Sequence, residues 1–360
     1  MCLYKKNISL LLGAGFSAAA GYPLASDVNQ KVVNTKNNNF YWSNSGTLVE
    51  NNPGFKTQYQ GYYEVFRKAV EYYLILNQNK MDYEKFYDYL AYDIKKDSSF
   101  SKFCYSIQDV DFEQALTHLC SIYNQVILNY IRPSGVRNHQ EYDIFREWLS
   151  KEKRSKVIHI HTLNHDSFLE QCILHNEYSD GFSNFCSKYY SNNPIQGRTI
   201  SLPIFRNTYS GHIRVYKLHG SFDQYFCEAG TQRDYVKVPY GYDYANIRDR
   251  NGKILNYNFC PEFLTGTTKD QHYDDVFYGK LFAHFKSNLL HSERVIVIGY
   301  GGKDVGINKI LKNVQKKHKM VYINPHINHS FVNEMHDSGW QIEKIEKSIG
   351  QLSLNDLKAE

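Results

Sequence analysis

The 360-residue chain has no Cys-x-x-Cys pair. Its seven cysteines, Cys2, Cys104, Cys120, Cys172, Cys186, Cys227 and Cys260, are odd in number and lack metal-ligand spacing. These absences argue against a structural zinc site, any other metal centre and a disulfide framework, and fit a reducing cytoplasm. No stretch approaches ~18 uninterrupted apolar residues, the length that spans a bilayer. The apolar run that follows Met1 is too short for a secretory signal. No dense block of Lys and Arg interleaved with aromatics occurs, and the net charge of +5 is spread along the chain, so nucleic acid is not demanded as a partner.

What is present is enough apolar sequence, 42%, for one large core or for a core domain with a second lobe. Tyrosine is abundant, at 31 copies, and many are expected to be half-buried with the hydroxyl in water. Residues 8–12, Ile-Ser-Leu-Leu-Leu, read as a buried strand, followed by a Gly13-Ala14-Gly15 turn and a helix-compatible run from Phe16 to Ala20. Glycines there let a diphosphate approach the backbone, with free N–H groups of the following helix pointing at it. The spacing Gly13-x-Gly15-x-x-Ala18 fits a dinucleotide fingerprint, but the acid expected about 20 residues on is missing, Asp27 being too early and Glu50 too late.

Residues 34–61 are rich in Asn, Gly, Ser and Gln and read as an irregular connection. Helical periodicity then sets in. Tyr62, Phe66, Ala69, Val70 and Tyr73 form one stripe, and Asp82 can cap a helix carrying Tyr83, Phe86, Tyr87, Leu90 and Ile94. Asp111 and Gln114 resemble a capping box that opens a long helix, which Arg132-Pro133-Ser134-Gly135 would end. A shorter helix covers 140–149. From Lys156 strands alternate with helices: strands at 156–161, 213–217, 294–298, 320–323 and 341–345, and helices at 167–175, 278–290, 305–317 and 330–337. Residues 176–212 read as loop-rich, and 222–275 as irregular and aromatic with room for short strands. The alternation predicts an α/β fold, a mostly parallel sheet of Rossmann type with helices on both faces and an inserted helical lobe.

In such sheets ligands lie beyond the carboxyl ends of the strands. That rule selects Gly13–Ser17, Thr162–Asp166, His219–Ser221, Gly299–Gly302 and Asn324, scattered in sequence yet each following a predicted strand. Asn164 and Asp166 are of the type that caps helices. A single cap explains one residue, whereas Thr162-Leu163-Asn164-His165-Asp166 presents several polar side chains at one strand end. His219, between a strand and Gly220-Ser221, completes a constellation suited to acid–base work.

Four segments, Gly13-Ala14-Gly15-Phe16-Ser17 through Pro23, Thr162–Asp166, Lys217–Ser221 and Gly299–Asn308, occur in the order found in the sirtuin superfamily, which the chain resembles over about 1–30 and 156–325. The run Gly-Tyr-Gly-Gly-Lys-Asp-x-x-Ile-Asn is similar to the sirtuin-like branch of bacterial anti-phage systems. The zinc-ribbon cysteines of the deacylases are absent, and Leu24-Ala25-Ser26-Asp27 stands where deacylases carry an aromatic–Arg pair. The resemblance implies a discontinuous NAD-binding domain of residues 1–30 and 155–350, a helical insertion at 31–154 and a tail at 351–360. It implies NAD as substrate, with Gly13, Ala14 and Gly15 facing the diphosphate and Ser17 nearby. Asn164 would hold the nicotinamide ribose or a water, Asp166 the carboxamide, and His219 would be the general base. Thr162, Gly220, Ser221, Asp304 and Asn308 would join the cofactor site, and Gly299, Tyr300 and Asn324 would lie at its adenosine end. The activity so implied is NAD+ glycohydrolysis that depletes NAD during phage infection, gated by oligomerisation, a partner protein or a nucleotide signal. A protein deacylase and a non-catalytic sensor of NAD or ADP-ribose remain alternatives. A dehydrogenase fits poorly without the ribose-binding acid.

Overall fold

A computed structural model describes residues 7–37, 40–42, 48–50, 60–107, 110–131, 139–174, 176–183, 188–193, 196–229, 232–239, 242, 246–255, 261, 263–315 and 319–358. Its centre is a sheet of six parallel strands: β1 (Asn7–Leu12), β2 (Val157–Thr162), β3 (Ile213–Lys217), β4 (Ser292–Ile298), β5 (Lys319–Ile323) and β6 (Gln341–Ile345). They lie in the order 6-5-4-1-2-3, the doubly wound order in which the chain reverses direction between strands 1 and 4. Leu12 is level with both Ile298 and Thr162, so the carboxyl ends of β1, β2 and β4 form one edge.

Both faces of the sheet are covered, and the side chains divide with the period of two that a strand imposes. Ile8, Leu10, Leu12, Ile296, Ile298, Val321 and Ile323 enter one core. There they meet Phe16 of the short helix α1 (Ala14–Ala18) and Tyr142, Phe145 and Trp148 at α7 (Asp143–Glu152). The C-terminal segment packs in the same core through Leu352 and Leu357. Leu11, Val295, Val297, Met320 and Tyr322 enter the other core, beneath α8 (Tyr278–His291), α9 (Val305–Lys312) and α10 (His329–Asp337).

A third core is helical. It joins α2 (Ala25–Asn34), α3 (Gln60–Leu76), α4 (Tyr83–Asp88), α5 (Ser98–Phe103) and α6 (Phe112–Ile131), and it also takes in Phe222 and Phe263 from the other part of the chain. The helix starts have ordinary causes: Asp82 accepts from the N–H groups of Glu84 and Lys85, and Asp111 from that of Gln114. The stop at Arg132–Gly135 lies outside the described residues.

Several expectations are revised. The segment 176–212 is not simply loop. Gly181–Ser183 and Ile204–Thr208 join Gln224–Ala229 and Gln232–Lys237 in a four-stranded sheet, and Tyr190–Asn192 pairs with Thr199–Ser201. The strands at 181–183, 190–192, 199–201 and 204–208 are short and carry Gly, Asn or Ser, so no alternation announces them, whereas Gln224–Ala229 and Gln232–Lys237 fall in the stretch where short strands are expected. A small core of Tyr189, Leu202, Ile204, Tyr225 and Val236 stabilises them instead. Phe40–Trp42 and Leu48–Glu50 likewise form a ribbon inside the connection read as irregular. The helix expected over 167–175 is a wide π turn, Leu169–Leu174. Many tyrosines are wholly buried rather than half-exposed: the hydroxyl of Tyr63 donates to the Thr35 carbonyl at 3.0 Å and that of Tyr322 to the Tyr300 carbonyl at 2.9 Å. A buried hydroxyl needs such an acceptor.

Strand β2 directs both its histidines at α8. His161 stacks on Tyr216, with centroids 4.7 Å apart, and His159 Nδ1 lies 3.2 Å from the Tyr216 hydroxyl. Burial, followed by the charge of Arg214, lowers the His159 imidazole to about 4, and burial also holds His161 well below its usual range. Each is neutral in the folded chain and gains a proton on unfolding below about 6.5. Stability is therefore complete above that pH and declines as pH falls toward about 4, with His159 responsible for on the order of 3 kcal/mol. Thermal melts should drop steeply between about pH 6.5 and 4.5, and His159→Gln should flatten part of that drop. Superimposable pH profiles for the two proteins would contradict the assignment.

Candidate functional site

The strand-order reversal leaves a crevice between the ends of β1 and β4, and two glycine turns meet there. Gly299 has φ +64, and a Cβ on it would stand 2.2 Å from the Phe16 nitrogen and 2.4 Å from the Gly15 carbonyl carbon. A Cβ on Gly13 would stand 2.7 Å from the Gly299 oxygen. The contact is hydrogen-bonded: Gly13 N–H donates to the Ile298 carbonyl at 3.0 Å and Gly15 N–H to the Gly299 carbonyl at 2.9 Å. The N–H groups of both glycines are therefore engaged by the neighbouring strand end. Ala14, between them, is exposed, and its N–H has no backbone partner among the described residues.

Residues from β2 close the second side. Asn164 is 9% exposed, and its Nδ2 donates to the Gly13 carbonyl and to Ser17 Oγ, both at 3.0 Å. Thr162 Oγ1 accepts the Asn164 N–H at 3.1 Å. The Asn164 amide thus ties the β2 end to the glycine turn. Asp166 is 7% exposed and accepts the Phe168 N–H at 3.0 Å. Burial raises its carboxyl, opposed by Lys217 and by hydrogen bonds that include Ser17. Lys217 is itself buried, donates to the Asp166 carbonyl and lies 3.3 Å from Glu170.

The third side is His219, 4% exposed, at the end of β3. Its carbonyl accepts the Leu264 N–H at 2.8 Å, and its ring lies 6.3 Å from that of His165. Burial, then the charge of Lys269, keeps the His219 imidazole well below its usual range and so neutral at physiological pH. Ser221 Oγ donates to the His165 carbonyl at 3.1 Å, and Gly220, at φ +78, turns the chain between them.

The Gly299–Asn308 block serves mainly its own loop. The Tyr300 hydroxyl donates to Asn308 Oδ1 at 2.8 Å, Asn308 Nδ2 donates to the Gly302 carbonyl at 2.9 Å, and Asn324 Nδ2 donates to the Tyr300 carbonyl at 3.1 Å. The Tyr300 side chain belongs to the core under α10. Asp304 differs, because besides capping α9 it reaches within 3.4 Å of His219 Nε2. Gly13–Ser17, Asn164, Asp166, His219 and Asp304 thus gather at the strand-end edge, whereas Asn308, Asn324 and the Tyr300 ring support it from outside. The motif reading gave no role to His165 or Lys217 and did not reach Lys269 and Tyr273. His165 sits inside the Thr162–Asp166 motif, but Lys269 and Tyr273 come from a segment without periodicity. Among the described residues no group of three or more His, Cys, Asp or Glu side chains could hold a metal ion, and no helix is long and apolar enough to cross a membrane.

Strand order, glycine contact and polar strand ends define a doubly wound α/β protein with a Rossmann-type crevice. The chain belongs to the SIR2-like family, whose domain it matches over residues 158–343, more than half its length. It is also similar to solved structures. One, of a Sir2 enzyme, is 14% identical with a TM-score of 0.40, covering 98% of this chain and 91% of that one. A sirtuin structure concerned with substrate affinity is 11% identical at 0.37, covering 97% and 92%. A Sir2 complex with an inhibitor, 2'-O-acetyl-ADP-ribose and a deacetylated peptide is 12% identical at 0.35, covering 96% and 89%. No curated protein matches the chain.

The glycine contact makes a stability prediction. Gly299→Ala combines a left-handed backbone with a clash against main-chain atoms and should cost about 2–4 kcal/mol. Gly301→Ala, with no heavy atom within 4 Å of the added Cβ, should be nearly neutral. Denaturant titrations of the two variants decide the matter, and equal midpoints would refute the packing argument.

Proposed function

We propose that the chain is an NAD+ glycohydrolase that converts NAD+ and water to ADP-ribose, nicotinamide and a proton. The observation that carries this reading is the tie of Asn164, at the end of β2, to the Gly13–Ser17 turn where the strand order reverses, with buried Asp166 beside it and buried His219 beyond the end of the neighbouring strand β3. Buried polar atoms at the same edge support it: His165 Nδ1 and Ser167 Oγ have no hydrogen-bond partner among the described residues, a shortfall that a polar substrate could meet. Membership of the SIR2-like family favours NAD as that substrate.

The chemistry asks little of the protein beyond orientation and charge. Nicotinamide is already cationic in NAD+, so it departs as a neutral base when the C1'–N bond breaks, without prior protonation. The site must hold the ribose, steady the carboxamide and admit one water. In this reading Ala14 and the flanking glycines line the diphosphate, and Thr162, Gly220 and Ser221 shape the floor beneath the nicotinamide ribose. Asn164 holds that ribose or the water, and Asp166 meets the carboxamide. His219 takes the proton from the attacking water as its oxygen bonds to C1', then releases it to solvent. Gly299, Tyr300, Asn308 and Asn324 set the adenosine end. Unrestrained NAD loss would be lethal, so the activity is gated, by self-association, a partner protein or a nucleotide signal, in anti-phage defence within the cytoplasm.

Protein taken from phage-infected cells should release nicotinamide and ADP-ribose in equal amounts, and no loss of NAD under any activating condition would remove the reading. His219→Ala and Asn164→Ala should each reduce turnover by at least about 100-fold. Release that depends on acetyl-lysine would replace this reading with a deacylase. Undiminished defence in His219→Ala would replace it with a sensor.

A pH profile tests the base separately. Because the folded His219 is depressed well below 6.5, the rate should be the same at about pH 7.5 and 6.5 and fall only further into acid. A limb centred near 6.5 would reveal an ordinary, solvated imidazole.

A further inference from the structure

The surroundings of His219 Nε2 carry information that the proposed mechanism does not use. Nε2 lies 3.4 Å from the Tyr273 hydroxyl and 3.4 Å from Asp304 Oδ2. The Tyr273 hydroxyl donates its proton to Asp304 Oδ1 at 3.2 Å, so only a lone pair remains to face the imidazole. A carboxylate oxygen also only accepts. Both neighbours of Nε2 therefore call for a donor. Neither can swing away. Asp304 Oδ1 caps α9 through the Ile307 N–H at 2.9 Å, and the Tyr273 ring stacks on Phe282 with centroids 3.5 Å apart. Asp304 Oδ2 is buried and makes no closer hydrogen bond among the described residues. Lys269 stands 3.7 Å from it and is held in turn by Glu84 of α4 at 2.6 Å. Contacts of this length around a base commonly tighten once substrate is bound.

We infer that Asp304 and Tyr273 are positioning residues that hold His219 with its proton on Nε2, leaving Nδ1 as the nitrogen that accepts a proton. Asp304 thereby acts through His219 rather than on the cofactor, the role the motif alone gave it. The inference depends on the glycohydrolase reading for its catalytic consequence, but the tautomer is a property of the resting chain.

Asp304→Asn isolates the effect. Asparagine caps helices as well as aspartate does, so α9 is retained. Its amide, however, offers Nε2 a donor where Oδ2 accepted, and the proton should move to Nδ1. A carboxamide behind a catalytic imidazole fixes the wrong tautomer and lowers kcat by on the order of 10²–10⁴, with KM little changed. The experiment is 15N NMR of the full chain labelled at histidine, with the His219 signals identified by their loss in His219→Gln. The wild type should show Nε2 protonated, and Asp304→Asn should show Nδ1 protonated. If Asp304→Asn melts below the wild type, Tyr273→Phe, which keeps the ring on Phe282, is read in its place and should show an increased Nδ1–H population. A wild-type proton on Nδ1, or a tautomer that neither variant moves, would overturn the inference. Failure of the wild type to consume NAD would defeat the proposed activity while leaving the tautomer measurement intact, so the two failures are distinguishable.

Discussion

The approach of two main chains without intervening side chains governs the geometry of this protein. The turn after β1 and the turn after β4 touch through Gly13, Gly15 and Gly299, so closely that a Cβ at any of the three would lie under 3 Å from backbone atoms. Hydrogen bonds from Gly13 and Gly15 lock the contact. It brings the start of α1 against Gly299 at the point where the strand order reverses. Asn164 then ties β2 to the same turn. Glycine here serves strand-to-strand approach first, and ligand approach only through what the contact leaves open around Ala14.

Around this contact polar groups are buried and largely satisfied by one another. Lys217 is shared by the Asp166 carbonyl and Glu170, and Lys237 lies 2.7 Å from Asp180 and 3.6 Å from Asp223. Such groups are costly to bury alone and tolerable when paired. The histidines are treated differently. His159, His161, His165 and His219 are all held neutral, with burial as the leading cause. The same desolvation that keeps His219 unprotonated makes the β2 histidines a liability in acid.

The helical lobe is coupled to this edge by the segment 263–273. Phe263 packs in the lobe's core while pairing with Gly220, the Thr267 N–H donates to Asp88 at 2.9 Å, and Lys269 bridges Glu84 and Asp304. Tyr273, at the far end of the same segment, meets His219. One stretch of chain thus touches the lobe, the loop after β4 and the imidazole, and the lobe is continuous with the site rather than appended to it.

All six parallel strands were legible from their apolar runs, and so were the long helices of the lobe, because periodicity is a local property that burial imposes on a segment. The strand ends likewise advertised Gly13, Asn164, Asp166, His219 and Gly299 as candidate site residues. The short antiparallel strands within 181–208 were not legible, since three to five residues carrying Gly, Asn or Ser have no period to read. Nor were the partners within the site. That Gly13 and Gly15 bond to the β4 end, that Tyr300 turns into the core, and that Lys269 and Tyr273 reach His219 from an aperiodic segment all depend on contacts between residues far apart in the chain. Sequence alone determined the six parallel strands, the long helices and the polar residues that end them. Tertiary structure alone decided which of those residues face one another, because pairing across the crevice is set by sheet order and close packing, and neither leaves a mark on local composition.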